Sequence, residues 1–126
     1  MKRFLAQDVP FEAADARNFI GSARVKRLPM AEGTLVFLVE FEAGGRTNWH
    51  AHSGSQLLLM TEGSGVVQKW GEPAIEVRAG DAITIGPDEK HWHGASPSSR
   101  MAHFAVNLNF TTKWFEPVSD DQYRAS

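Results

Sequence analysis

The chain contains no cysteine, which excludes disulfides, thiolate metal sites and thiol nucleophiles together. Nor does it contain anything near the roughly 18 consecutive apolar residues of a membrane-spanning helix. Its longest apolar stretches lie near Leu35–Val39 and Gln56–Met60 and run to at most five apolar residues, so no membrane association is expected. No run of five like charges occurs, and thirteen Lys and Arg stand against fifteen Asp and Glu for a net charge of -2. A surface that tracks phosphates has no compositional support, and nucleic acid is not an expected partner. The basic start Met1-Lys2-Arg3 precedes only Phe4-Leu5-Ala6 before Gln7 and Asp8. That apolar run is too short for a secretory signal, and a cytoplasmic protein is the expectation. What remains is ordinary globular material: 126 residues, 42% hydrophobic and 22% charged, the size and composition of a single domain.

The dominant periodicity is two, in short segments punctuated by Gly and Pro, which predicts an all-β, antiparallel architecture. Expected strands are Ser22–Arg27, Thr34–Glu42, Thr47–His52, Ser55–Met60, Val66–Trp70, Ile75–Arg78, Ala82–Ile85, His91–Gly94 and Met101–Phe110. Thr34–Glu42 places Leu35, Phe37, Val39 and Phe41 on one face and Val36 and Leu38 on the other, a pattern that reads as burial on both sides. Glu62-Gly63-Ser64-Gly65 reads as a hairpin loop. In the closing strand Met101, His103, Ala105 and Asn107 share one face, and Phe104, Val106, Leu108 and Phe110 the other. Ser119-Asp120-Asp121-Gln122 is a weak helix start.

The chemistry is concentrated in the histidines. Four of the five form two His-x-His pairs, His50/His52 and His91/His93, and the fifth is His103. On an extended strand residues i and i+2 share a face, so each pair can aim two imidazoles at one point, as nitrogen ligation of a first-row metal requires. Gln56 follows His52 after a Ser53-Gly54 bend and is positioned to bring a carboxamide oxygen to the same place. Trp49, Met60, Trp92 and Phe104 are candidate pocket walls, although alternating apolar residues also suit plain core.

These residues carry a resemblance. Gly44, His50-Ala51-His52, Gln56 and Gly63, separated by five, three and six residues, resemble the first motif of the cupin superfamily, with Gln56 where Glu is usual. Gly80-Asp81, Pro87 and His91 resemble the second motif, with a shortened spacing from Pro to His. The resemblance implies a small single-domain antiparallel β-barrel, a double-stranded β-helix, with the barrel over residues 33–110, an N-terminal arm over 1–30 and a tail over 111–126. It implies His50, His52, Gln56 and His91 as metal ligands in the barrel mouth.

A closer likeness runs through Arg46-Thr47-Asn48-Trp49-His50-Ala51-His52, Gly54-Ser55-Gln56, Glu89-Lys90-His91-Trp92-His93-Gly94-Ala95 and Asp120-Asp121-Gln122-Tyr123. These strings resemble the manganese-dependent bacterial cupins that act as (R)-selective hydroxynitrile lyases, in which the Gln ligand is also present. Asn107 stands where that group carries Gln, and Phe37 where a small residue is expected. The likeness implies a cyanohydrin or aldehyde as small-molecule substrate. Mn(II) would be the cofactor, with Fe(II), Zn(II), Ni(II) or Co(II) as other ions that a nitrogen-rich site accepts. His93 and His103 are the candidate catalytic bases beside the metal. Neutral ligands alone leave the divalent charge uncancelled, which favours chemistry with negative charge developing on oxygen. An Fe(II) oxygenase and a non-enzymatic small-molecule binder are the alternative classes. The Phe4–Phe19 arm and the aromatic tail offer surface that a homo-oligomer, dimer or tetramer, would bury.

Overall fold

The computed structural model describes residues 1–29, 32–108 and 110–126. Met30, at the end of the expected arm, and Asn109, within the expected last strand, lie outside the described residues. In chain order the strands are β1 (Glu12–Ala13), β2 (Phe19–Ile20), β3 (Ala23–Pro29), β4 (Thr34–Phe41), β5 (Arg46–Thr47), β6 (His50–His52), β7 (Gln56–Lys69), β8 (Ile75–Arg78), β9 (Ala82–Ile85), β10 (His91–Ala95), β11 (Met101–Leu108) and β12 (Thr112–Trp114). A short 3-10 turn at Ala6–Asp8 precedes them and one helix, α1 (Asp120–Arg124), follows. The expected all-β barrel is what forms, and all the pairings among the described residues are antiparallel. No helix is long and apolar enough to cross a membrane among the described residues.

The architecture is a curled sheet whose two faces share one long strand. Along its first half β7 pairs with β11 and β9, and along its second half with β10 and β8. The expected hairpin at Glu62–Gly65 does not exist: the chain runs straight through as a 14-residue strand. Gly63 instead takes φ +68° opposite Met101, next to a bulge at Thr61 that lies between the Glu62–Ala102 and Met60–His103 pairs, where β7 passes from one sheet into the other. A Cβ at Gly63 would lie 1.7 Å from the carbonyl oxygen of Arg100, so the close strand crossing also requires glycine.

Period-two patterning sets the interior. Val39, Phe41, Leu58, Met60, Val67, Val77, Ile85, Ala95, Met101 and Ala105 form the main core. Burial of β4 on both sides is not observed, because Val36 and Leu38 on its outer face are only half-buried. A second core joins Trp49, Val66, Trp92, Val118 and Tyr123 beneath the terminal helix. That helix carries a full capping box, the Ser119 hydroxyl accepting from the Gln122 backbone N–H and the Gln122 side-chain oxygen accepting from the Ser119 backbone N–H. Buried Arg46 ties it to the sheet by donating to the Val118 carbonyl at 2.9 Å and to Asp120 at 3.0 Å. The N-terminal arm folds back on its own chain. There β1 pairs with β3, and the Phe11 ring sits 3.9 Å from the Arg24 guanidinium.

Candidate metal centre

The two His-x-His pairs meet because β6 and β10 are adjacent and antiparallel, with His91 directly opposite His50. From the other sheet, β11 brings His103 and Asn107 inward, and Asn107 lies opposite both Gln56 on β7 and Leu35 on β4. All seven polar residues, His50, His52, Gln56, His91, His93, His103 and Asn107, are at most 6% exposed. Ring centroids of His50 lie 5.1 Å from His52, 4.2 Å from His91 and 5.2 Å from His93. The tightest set is His50, His91 and His93, whose ligand atoms all fall within 4.8 Å of one another. The sequence points to His52 rather than His93 among the ligands; by ring centroids the two stand equally far from His91, 5.7 Å each, and at 5.1 and 5.2 Å from His50.

Hydrogen bonds fix the ring tautomers. Nδ1 of His50 donates to the Asn48 carbonyl at 2.9 Å, and Nδ1 of His91 to the Glu89 carbonyl at 2.8 Å. Each ring therefore presents a lone pair at Nε2, the arrangement seen where a histidine ligates metal. Nδ1 of His52 contacts the Thr112 hydroxyl at 2.9 Å, and its buried Nε2 has no partner. Gln56 directs Oε1 at Nε2 of His91 across 3.2 Å while its Nε2 donates to Asn107. Two lone-pair atoms thus face each other with no proton between them, in a buried place where such a pair is costly. A cation between them removes the conflict, so the donor set fits a metal ion.

His93 and His103 form a second unit, with Nδ1 of His93 2.9 Å from Nε2 of His103. Nε2 of His93 and Nδ1 of His103 are buried without partners. Burial holds every one of these imidazoles below the usual histidine range, His52 and His103 at about 4 and His50 and His93 well below it, with neighbouring histidines adding to the effect on His50, His52 and His93. At neutral pH all five are uncharged bases.

Beside them opens a cavity of about 300 Å³ lined by Phe19, Phe37, Val39, Phe110 and Trp114 among others, with no acidic residue in its wall. The expected walls are different residues: Trp49 and Trp92 belong to the second core, Met60 to the main core, and Phe104 is half-buried on the outer face. Phe37 does occupy the pocket. The roles of Phe19 and Trp114 carried no local signal, since both come from strands of two or three residues.

The Cupin domain family model matches residues 37–107. A curated protein of Granulicella tundricola named (R)-mandelonitrile lyase is 39% identical over 112 residues, covering 84% of this chain and 86% of that protein. The crystal structure of a cupin-like protein from Thermotoga maritima superposes with a TM-score of 0.87 at 35% identity, over 90% of this chain and 92% of that one. The polyketide cyclase RemF from Streptomyces resistomycificus shares the fold at a TM-score of 0.73 and 23% identity, over 98% and 91% of the two chains.

Proposed function

This chain belongs to the cupin family, and we propose that it is a metal-dependent lyase that cleaves a cyanohydrin to an aldehyde and hydrogen cyanide and runs the addition in reverse. The observation that carries the reading is the donor set: neutral imidazoles and one carboxamide converge on a point beside an apolar cavity whose wall holds no acid. In this reading His50, His52, Gln56 and His91 hold the ion. A divalent cation so bound, Mn(II) in this proposal, supplies Lewis acidity that favours negative charge on a substrate oxygen.

The chain's own residues handle the proton. Nε2 of His93, unpartnered and beside His50 and His91, accepts the hydroxyl proton of the cyanohydrin. Its Nδ1 contact with His103 spreads the resulting positive charge over two rings. The oxygen electron pair becomes the carbonyl bond, and the C–C bond breaks with its pair on cyanide. That anion takes the proton back from His93 and leaves as hydrogen cyanide. Phe37, Phe110 and Trp114 face the aldehyde side chain and keep water from the reacting carbon. The relative named (R)-mandelonitrile lyase supports an aryl substituent there.

The test is benzaldehyde release from (R)-mandelonitrile by Mn(II)-loaded protein, with chelator-stripped protein as reference. Metal-dependent turnover is expected. Bound Mn(II) without turnover would overturn the lyase reading, and substrate-dependent consumption of O₂ by the Fe(II)-loaded protein would put an oxygenase in its place.

A further inference from the structure

Gln56 and Asn107 are directly opposed across β7 and β11, both buried, with their carboxamides joined by one bond from Gln56 Nε2 to Asn107 Oδ1 at 2.9 Å. On its other side the Asn107 amide nitrogen lies 3.4 Å from each of two main-chain carbonyl oxygens, Leu35 and Ala105. Main-chain carbonyls only accept, so the amino group of Asn107 must face them and its oxygen must face Gln56. Gln56 is then obliged to donate to Asn107 and to turn its own oxygen toward Nε2 of His91, 3.2 Å away. Hydrogen-bond polarity runs in one direction from the backbone, through two side chains, to the metal site.

We propose that Asn107 is a positioning residue that sets which atom of Gln56 faces the metal and thereby selects a neutral carboxamide over a carboxylate at position 56. The proposal rests on the reading of Gln56 as a metal ligand. A glutamate there would have the same shape, but its outer oxygen would meet Asn107 Oδ1 with no proton between them. Turning Asn107 over only moves the conflict, because Oδ1 would then face the Leu35 and Ala105 carbonyls. Each arrangement leaves buried acceptors opposed. The neutrality of the ligand set is thus written into the opposite strand, one residue away from the ligand itself.

The experiment is a four-protein cycle of the full chain: wild type, Asn107→Leu, Gln56→Glu and the double variant. Mn(II) affinity is measured by electron paramagnetic resonance, with no substrate present. Asn107→Leu is expected to weaken Mn(II) binding about tenfold where residue 56 is Gln, the lower end of the loss for removing such a support. In the Gln56→Glu background the same change is expected to strengthen binding, because it deletes the opposing acceptor. In the metal-free protein, slow hydrogen exchange of the Gln56 side-chain amide in wild type should become fast in Asn107→Leu. Asn107→Ala, which removes the carboxamide and leaves no polar side-chain atom opposite residue 56, carries the same expectations if leucine at 107 does not fold. Weakening of equal size in both backgrounds would overturn the proposal and reduce Asn107 to a wall residue. Unchanged Mn(II) affinity in all four proteins would instead show that Gln56 is not a ligand, so the premise itself would fall.

Discussion

The five histidines differ in which ring nitrogen is already engaged, and that difference separates their expected roles. His50 and His91 are tied at Nδ1 to main-chain carbonyls and can offer only Nε2 inward. His103 reaches the others through Nδ1 of His93. His91→Ala should therefore abolish stoichiometric Mn(II) binding, whereas His103→Ala should retain the metal and lose about 10² to 10⁴ in kcat. Metal content and turnover measured on the same preparations decide this, and equal metal loss in both would remove His103 from the proton-handling pair. Phe37 narrows the cavity from β4. Phe37→Ala should lower KM for bulkier aryl cyanohydrins several-fold while leaving Mn(II) affinity unchanged; a KM that rises for all substrates would mean that Phe37 shapes the pocket by packing rather than by obstruction. That the two histidines of each His-x-His pair share a strand face was legible in the sequence because it follows from the strand period alone. The Gln56–Asn107 bond was not, because it depends on the register between strands 51 residues apart, which no local pattern encodes.

At the scale of elements, the strand period was again legible, and the meaning of glycine was not. Glu62-Gly63-Ser64-Gly65 has the composition of a hairpin turn, yet in the structure Gly63 serves a strand crossing inside β7, beside the bulge at Thr61. Glycine at positive φ serves both purposes, and only the neighbouring strand distinguishes them. The pattern of Thr47–His52 predicts one strand, and the chain forms two, β5 and β6, each pairing with a different end of β10. Two substitutions separate the kinds of glycine. Gly63→Ala must place a methyl group 1.7 Å from the Arg100 carbonyl at φ +68°, so a loss above about 3 kcal/mol is expected, beyond the cost of backbone strain alone. Gly71 also has positive φ, +81°, but open space around its Cβ position, and Gly71→Ala should cost only about 1 kcal/mol. Urea unfolding of the two variants makes the comparison; similar losses would show that crossing distance is not what demands glycine at 63.

For the whole molecule, a site built from buried imidazoles ties stability to protons. Burial keeps His52 and His103 neutral in the folded protein until about pH 4, and it holds His50 and His93 well below the usual histidine range. In the unfolded chain a histidine takes up its proton near pH 6.5. Between these limits the unfolded state binds more protons than the folded one, so stability falls as pH falls. Above about pH 7 both states are neutral and the effect vanishes. The metal-free protein should therefore have a flat urea midpoint above pH 7 that declines steadily from about pH 6.5 toward pH 4. His103 alone accounts for a loss on the order of 3 kcal/mol at the acid end. Mn(II) binds the neutral rings and should oppose the decline, adding about 2.7 kcal/mol at neutral pH when present at a hundredfold excess over its Kd. His91→Ala should erase that addition and keep most of the acid dependence, because four buried histidines remain. A urea midpoint unchanged between pH 7 and pH 5 would show that the imidazoles are hydrated and protonated in place, and the neutral donor set on which the metal reading stands would go with them.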